Sequence, residues 1–189
     1  HYDPVQAVQV YDCHDKLICS VEGMEKRTIV PFKAISPNMI KALLAAEDHR
    51  FYEHHGVSTI GIARAVFSNA VKGKVVEGGS TITQQLVKNL FFDGEKRTID
   101  VKVAELFLSM KLEDRFSKQK ILELYLNEVY FGNNAYGIEQ AARKYFAKRA
   151  ANLDIAEAAF LAGIIRAPSA GGMVEHRASS LARQKEVLR

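Results

Sequence analysis

Helical spacing of apolar residues is the feature that most restricts the fold of this chain. Ser36-Pro37 is typical of a helix start, with serine as the N-cap and proline in the first turn. The apolar residues that follow recur at the i, i+3 and i+4 positions of one helix face; they are Met39, Ile40, Leu43 and Leu44. Similar patterns predict helices at 37–47, 59–69, 81–90, 100–113, 118–127, 138–146, 155–164 and 177–189. The sequence therefore predicts a mainly α domain.

The N-terminal part of the chain has a different pattern. Segments 8–11 and 17–21 read as two strands around a short turn, so a β-hairpin is predicted there. Cys13 and Cys19 fall within it, and the sequence leaves a disulfide and two free thiols equally open. Metal binding with His14 is disfavoured. We assign residues 1–35 to an N-terminal β segment and linker, and residues 36–189 to the main domain.

Composition narrows the class of partner. The chain has 189 residues, of which 48% are hydrophobic, and it has no low-complexity run, so it is long enough for one well-packed domain. Its 26 Lys+Arg against 22 Asp+Glu give a net charge of +4, which favours an anionic membrane surface or a phosphate-bearing substrate. No nucleic-acid-binding motif is present, so we expect no nucleic acid partner. The sequence has no run of about eighteen apolar residues, so no transmembrane helix is predicted in it, and no signal peptide is predicted.

Glu47 is the first candidate catalytic residue. At roughly 100° per residue, the helix that begins after Ser36 carries Glu47 in the middle of its apolar arc and Asp48 toward the edge of that arc. A carboxylate in such a position should be partly desolvated, which raises its pKa toward the range that a general base or acid needs. The alternative is that the helix ends at Ala46 and that Glu47 begins a solvated loop.

A second stretch combines glycine with hydroxyl and amide side chains, in the order Gly78-Gly79-Ser80-Thr81-Ile82-Thr83-Gln84-Gln85. Ser80 is predicted to cap the helix that follows. A polar stripe would then begin at free backbone N–H groups, carry Gln84 and end at Lys88. Such a helix start attracts phosphate. An ordinary capped surface helix is the alternative, but the paired amides favour a functional site.

A third candidate site lies on the helix predicted at 100–113. Its positions are mostly apolar on all sides, which predicts a buried helix. Lys102, Glu105 and Ser109 fall close together on one face of it. Buried charges are seldom unpaired, so this stripe is either an internal salt bridge or the wall of a cleft. A second candidate acid in Glu47 favours the cleft.

These motifs occur in one order that matches a known family. The order is Glu47-Asp48-x-x-Phe51-x-x-His54-x-Gly56, then Gly78 to Gln85, then Lys102-x-x-Glu105, then Lys118-x-x-Ile121-Leu122-Glu123-x-Tyr125-Leu126-Asn127. It resembles the peptidoglycan glycosyltransferase domain (glycosyltransferase family 51) of class A bifunctional penicillin-binding proteins and monofunctional transglycosylases. The resemblance covers about residues 11 to 183. One departure is Val101, which stands where the family usually has arginine and leaves Lys102 with less cationic help, although Arg97 is near.

The resemblance implies a lysozyme-like helical fold with a small second lobe. It also implies polymerisation of lipid-linked disaccharide-peptide units (lipid II) into β-1,4-linked glycan strands, by inverting displacement of a lipid pyrophosphate. Glu47 and Glu105 are the implied catalytic residues, with Glu47 as general base. The implied substrate-binding residues are Asp48, Phe51, His54, Arg64, Gly79, Ser80, Thr81, Gln84, Gln85, Lys88, Lys102, Lys118 and Asn127.

Cofactor, partners and location follow from the same resemblance. A divalent cation, Mg²⁺ or Mn²⁺, is compatible with the chemistry, although no ligand cluster in the sequence demands one. The implied partners are lipid II, a lipid-linked glycan chain, the membrane surface and a C-terminal transpeptidase domain in the parent chain. The implied location is the periplasmic side of the bacterial cytoplasmic membrane, with a membrane anchor before residue 1. The glycine-bearing link 71–79, with the neighbouring Ile60, Ile62, Val66 and Phe67, resembles the family's membrane-facing flap, although such apolar residues alone are more often core.

Two other classes of function stay open at this stage. A lysozyme-like lytic enzyme would also use a glutamate in a cleft, but it has no need of a pyrophosphate-adapted helix start. It would release soluble fragments from finished cell wall. A non-catalytic membrane- or glycan-binding module would bind the precursor without turnover.

Overall fold

The computed structural model describes residues 8–11, 17–21, 28–58, 79–96, 98–165 and 177–188. These ranges hold seven α-helices: α1 (Pro37–Glu47), α2 (Ile82–Phe91), α3 (Ile99–Arg115), α4 (Lys118–Glu128), α5 (Ile138–Phe146), α6 (Ile155–Ile165) and α7 (Arg177–Val187). Short 3-10 turns lie at Phe32–Ala34 and Ala150–Asn152. The mainly α fold class is confirmed, and the predicted bounds agree with the observed ones to within two residues. The helix predicted at 59–69 lies outside the described residues.

The helix starts explain this agreement. Ser36 caps α1, and its hydroxyl accepts a hydrogen bond from the backbone N–H of Asn38 at 3.2 Å. Thr98 caps α3 and Ser117 caps α4 in the same way. Because a hydroxyl at the N-cap satisfies a backbone donor that the helix itself leaves unpaired, these residues fix where each helix begins.

The N-terminal strands are β1 (Val8–Tyr11) and β2 (Leu17–Val21), which pair antiparallel with Val8 opposite Val21 and Val10 opposite Cys19. The predicted hairpin is therefore confirmed. Cys13 lies outside the described residues, so its pairing with Cys19 stays a prediction.

The core is built from the inward faces of these helices. Helix α1 packs against α6, α6 packs against α7, and α2 packs against both α3 and α4. Fully buried side chains fill the space between them: Met39, Leu43, Ile82, Leu86, Leu122, Leu126 and Leu161. Ser36 ties α1 to the segment before α6, because its N–H donates to the carbonyl of Ala150 at 3.0 Å and its hydroxyl donates to that of Leu153 at 2.8 Å.

Helix α3 contradicts the sequence prediction of a helix buried on all sides. Only Glu105 and Ser109 are buried on it, whereas Val103 is 58% exposed and Phe107 is 55% exposed. The helix thus turns its polar stripe inward and its apolar face outward. The physical reason is that the inward polar groups are paired: the Glu105 carboxylate pairs with Lys102, and the Ser109 hydroxyl donates to the carbonyl of Glu105 at 2.7 Å, which offsets the cost of their burial.

Candidate active site

Glu47 is the last residue of α1, and it is partly buried. This overturns the alternative in which the helix ends at Ala46 and Glu47 lies in a solvated loop. One carboxylate oxygen, Oε2, accepts a hydrogen bond from Nε2 of Gln85 on α2 at 2.8 Å. The amide oxygen of Gln85 in turn accepts from the hydroxyl of Tyr125 on α4, also at 2.8 Å. Three helices therefore meet at the candidate base.

Tyr125 was missed by sequence reasoning because it lies among the apolar residues of α4, where a buried aromatic ring needs no further explanation. Its side chain is fully buried. Burial raises the pKa of the Tyr125 hydroxyl well above its usual value, and the negative charge of Glu47 adds to that shift. The hydroxyl therefore stays protonated at neutral pH and can donate to Gln85.

Asp48 links the end of α1 to the start of α2. It is buried, and its Oδ2 atom accepts from Nε2 of His54 at 2.8 Å and from the backbone N–H of Ile82 at 3.2 Å. Its carboxylate thus sits at the positive end of the α2 dipole, a favourable place for a negative charge. Asp48 holds Glu47 in a fixed relation to α2.

The start of α2 differs from the prediction. Thr81, not Ser80, is the N-cap, and it forms a capping box in which its hydroxyl accepts from the N–H of Gln84 at 3.2 Å. Oε1 of Gln84 accepts from the N–H of Thr81 at 2.8 Å. Since Ile82 donates to Asp48, three N–H groups that were predicted to be free for phosphate are bonded to side chains. The buried Gln84 therefore supports the helix start.

Gly56 makes this arrangement possible. Its carbonyl oxygen accepts from the Thr81 hydroxyl at 2.6 Å, and its backbone has a φ of +79°, which favours glycine. A Cβ atom at this position would lie 2.7 Å from the backbone oxygen of Ser109 on α3. The glycine of the first motif thus lets the loop at Gly56 lie directly against α3.

Lys102 and Glu105 lie on α3, near the segment that precedes α2. The Lys102 ammonium group pairs with Oε1 of Glu105, and it also lies 3.3 Å from the hydroxyl oxygen of Ser80. The Glu105 side chain is 8% exposed and that of Lys102 is 48% exposed. The salt bridge left open by the sequence is therefore present, and it reaches the Gly79-Ser80 segment from which α2 begins.

Glu113 extends this polar stripe. Its Oε1 accepts from the hydroxyl of Thr83 on α2 at 2.5 Å, and its Oε2 lies 2.7 Å from the ammonium nitrogen of Lys118. Sequence reasoning missed Glu113, although its position four residues after Ser109 and eight after Glu105 places it on the same helix face.

Lys118, Phe51 and His54 form the layer behind Asp48. The Lys118 ammonium nitrogen donates to the carbonyl of His54 at 2.6 Å and lies 4.3 Å from the ring centre of Phe51. Phe51 is fully buried, and the His54 side chain is 8% exposed. In the structure these residues support the site, and their predicted contact with substrate stays a prediction.

The remaining predicted residues lie at different distances from this centre. Asn127 uses its amide to hold the backbone of Val30, with two hydrogen bonds of 2.9 Å, and donates a third to the carbonyl of Glu123. Asn127 therefore ties the segment at Val30 to α4, and its predicted place in the cleft stays a prediction. Lys88 lies in the last turn of α2, about 12 Å along the axis from Ser80. Arg64 and the predicted flap lie outside the described residues.

Within the described ranges, no three His, Cys, Asp or Glu side chains are grouped as a metal site would require. Among the helices of the described part, none is long and apolar enough to span a bilayer.

A family model described as Transglycosylase matches residues 14–189. The chain belongs to the transglycosylase family.

Relatives of this transglycosylase domain support the assignment over its whole length. The chain is 43% identical over 188 residues to "Penicillin-binding protein 1A" of Aquifex aeolicus and of Neisseria lactamica, covering 100% of this chain in both cases, and 26% and 23% of those proteins. It is 42% identical over 181 residues to "Penicillin-binding protein 1A" of Escherichia coli, covering 96% of this chain and 21% of that protein. The chain thus spans about a quarter of the length of these curated relatives. The predicted family and enzyme class, a peptidoglycan glycosyltransferase, are confirmed.

One departure from the transglycosylase pattern can now be placed. Val101 lies in the first turn of α3, partly buried, and its N–H donates to the Thr98 hydroxyl at 3.3 Å. Its apolar side chain directly precedes Lys102, so it supplies none of the charge that an arginine would bring there. Arg97 lies outside the described residues.

Proposed function

We propose that this domain polymerises lipid II into β-1,4-linked glycan strands, as the glycosyltransferase part of a longer chain. One observation carries the proposal. The carboxylate of Glu47 and the Lys102–Glu105 pair are held against the same short segment, Ser80 to Gln85 at the start of α2. A candidate base and a candidate cation for the leaving group therefore share one scaffold.

In the proposed reaction Glu47 removes the proton from the 4-hydroxyl of the acceptor sugar. The acceptor oxygen bonds to the anomeric carbon of the donor chain while the bond from that carbon to the pyrophosphate oxygen breaks. The configuration at the anomeric carbon is inverted, and the lipid pyrophosphate leaves with the electron pair. The proton on Glu47 then passes to water, which restores the base.

The negative charge that develops on the leaving group needs a fixed positive partner. Lys102 is well suited, because its side chain is half exposed and its ammonium group pairs with Glu105 and lies beside the Ser80 hydroxyl. The backbone N–H groups of Thr81, Ile82 and Gln84 are already bonded to side chains, so we assign the pyrophosphate to Lys102 and Ser80. Glu105 is paired with Lys102, and the described residues hold no group of three metal-ligating side chains. The proposed steps therefore do not use a divalent cation.

The proposed substrates carry lipid tails, so the domain must work at a membrane surface, which we place on the periplasmic side of the cytoplasmic membrane. The outward face of α3 supports this, since it exposes Val103, Phe107 and Met110 beside Lys111. Exposed apolar side chains with flanking cations are suited to the interface of an anionic bilayer. A membrane anchor and a transpeptidase domain elsewhere in the parent chain are part of the same proposal.

The test is polymerisation of fluorescent lipid II by this chain, with glycan strands resolved on a gel. Glu47→Gln should lower the rate by about a thousandfold while precursor binding survives, because the amide keeps the shape and removes the base. Glu53→Gln is the matched control, since Glu53 is an exposed carboxylate that pairs with Arg50. Assays with added Mg²⁺ or Mn²⁺ and with a chelator test whether a divalent cation takes part in the reaction.

Three outcomes would count against the proposal. Normal turnover by Glu47→Gln would remove Glu47 as the base. Release of soluble fragments from finished cell wall, without use of lipid II, would indicate the lytic enzyme instead. Binding of lipid II by the unsubstituted domain, with no product under any of these conditions, would indicate a binding module.

A further inference from the structure

The hydrogen bonds around Glu47 form a chain with one direction. The Tyr125 hydroxyl lies 2.8 Å from Oε1 of Gln85, and Nε2 of Gln85 lies 2.8 Å from Oε2 of Glu47. A side-chain amide has a donor end and an acceptor end, and a half-turn exchanges them. The identity of the group that faces Glu47 therefore depends on what holds the other end of the amide.

Tyr125 is fixed more firmly than Gln85. It is fully buried on α4, between core residues Leu122 and Leu126, so its ring cannot turn away. Burial keeps its pKa high, so the hydroxyl remains an O–H donor aimed at the amide oxygen. If the amide turned over, its oxygen would face a carboxylate oxygen, and two acceptors without a proton between them repel each other.

We infer that Tyr125 is a positioning residue for the proposed base: its hydroxyl orients the Gln85 amide so that the amide N–H, and not the amide oxygen, faces Glu47. A donor directed at a carboxylate favours the charged form, which is the form a general base must have before reaction. The inference rests on the proposed function in giving Glu47 the role of base, whereas the contacts themselves are independent of that role.

The kinetic test uses three variants of this chain. Tyr125→Phe should lower kcat roughly tenfold with KM changed less than about twofold, because a misoriented base affects the reaction more than binding. Gln85→Met should have a similar or larger effect. The double variant should be no slower than Gln85→Met alone, since Tyr125 acts only through the amide.

Tyr145→Phe is the matched control. This substitution also removes a hydroxyl that donates a hydrogen bond, because the Tyr145 hydroxyl donates to the carbonyl of Phe131 at 2.9 Å. That hydrogen bond does not involve Glu47. Both tyrosine variants should lower the thermal midpoint by comparable amounts. Only Tyr125→Phe should lower kcat. An equal effect of both on kcat would show that the loss reflects stability, and the inference would be wrong.

A second measurement does not require activity. The carboxyl carbon of Glu47 can be followed by ¹³C NMR during a pH titration and assigned from its absence in Glu47→Gln. In Tyr125→Phe the titration midpoint should rise by about half a pH unit or more, and in Tyr145→Phe it should not move. In the unsubstituted domain, the NMR resonances of the Gln85 amide protons should shift as Glu47 titrates. This tests the contact even if a variant fails to fold.

The two measurements separate the inference from the proposed function. If the unsubstituted domain is inactive on lipid II but the titration midpoint of Glu47 rises in Tyr125→Phe, the proposed function fails and the positioning role of Tyr125 stands. If the unsubstituted domain is active and Tyr125→Phe leaves both kcat and the titration midpoint of Glu47 unchanged, the proposed function stands and the positioning role is wrong. Gln85 amide protons that ignore the titration of Glu47 would also overturn it.

Discussion

Helices α3 and α4 follow each other in the chain but bury opposite kinds of surface. Helix α4 turns Ile121, Leu122 and Leu126 inward, all without solvent exposure. Helix α3 turns Glu105 and Ser109 inward and leaves Val103, Phe107 and Met110 exposed. Burial of apolar area stabilises a fold wherever it occurs, whereas a buried carboxylate requires specific partners. The inward apolar side chains of α4 therefore serve stability, whereas the inward polar face of α3 and the Tyr125 hydroxyl of α4 serve the site.

The largest effect on stability should come from α4. Leu126→Ala leaves a cavity in the core and should lower the free energy of unfolding by about 2–5 kcal/mol. Urea denaturation followed by circular dichroism measures it. Val103→Ala on α3 is the control, because Val103 is mostly exposed, and it should change the free energy by less than about 0.5 kcal/mol. Equal losses for the two variants would contradict the comparison.

The inward polar face of α3 should instead control activity. Lys102→Ala should slow polymerisation by about a hundredfold, since it removes the cation assigned to the leaving group. The thermal midpoint should fall as well, because the buried carboxylate of Glu105 loses its partner, so the rate is measured well below the midpoint of the variant. Lys148→Ala removes a cation outside α3, one that pairs with Glu157 at 2.7 Å, and should leave the rate unchanged. A comparable loss in both would point to a general effect of net charge.

The contact between α3 and the loop before residue 58 can be tested at Gly56. Gly56→Ala should lower the free energy of unfolding by about 1–3 kcal/mol, because the new methyl group meets the Ser109 backbone. Gly94→Ala is a close control, since Gly94 has a φ of +78° but nothing within 4 Å of the added atom. The difference between the two variants isolates the close approach from the backbone strain, and no difference would refute the contact.

The outward face of α3 should matter least for folding. Phe107→Ser should weaken binding to anionic vesicles by about fivefold, because part of a phenyl ring no longer enters the interface. Co-sedimentation at low and high salt measures it, with circular dichroism as the folding check. Ile155→Ser is the control: Ile155 is 62% exposed on α6 and should not contribute. Unchanged binding by the Phe107 variant would remove this face from the proposed membrane surface.

Much of the fold could be predicted because its signals are local. N-cap hydroxyls and apolar spacing lie within a few residues of the helices that they specify, and the predicted bounds were close for that reason. The error at Ser80 was also local. Thr81 has glutamine three residues later, which completes a capping box, whereas Ser80 has Thr83 there. The sequence held the information that decides between them.

The orientation of α3 could not be predicted from the same kind of signal. Periodicity separates the Glu105 and Phe107 sides of the helix, but it does not say which side meets the rest of the protein. That choice depends on partners distant in sequence, such as Ser80 for Lys102 and Thr83 for Glu113. The positioning contact of Tyr125 is hidden for a similar reason, since it joins residues 40 positions apart.

The tie between Ser36 and Leu153 spans 117 positions, and it has a consequence during protein synthesis. Helix α1 packs against α6, which is made much later. At the usual pace of translation, roughly 6 to 23 s separate the synthesis of these two residues. Throughout that interval the apolar side of α1, with Met39 and Leu43, has no α6 to cover it. The nascent chain therefore presents an uncovered apolar helix face early, a surface of the kind that chaperones bind.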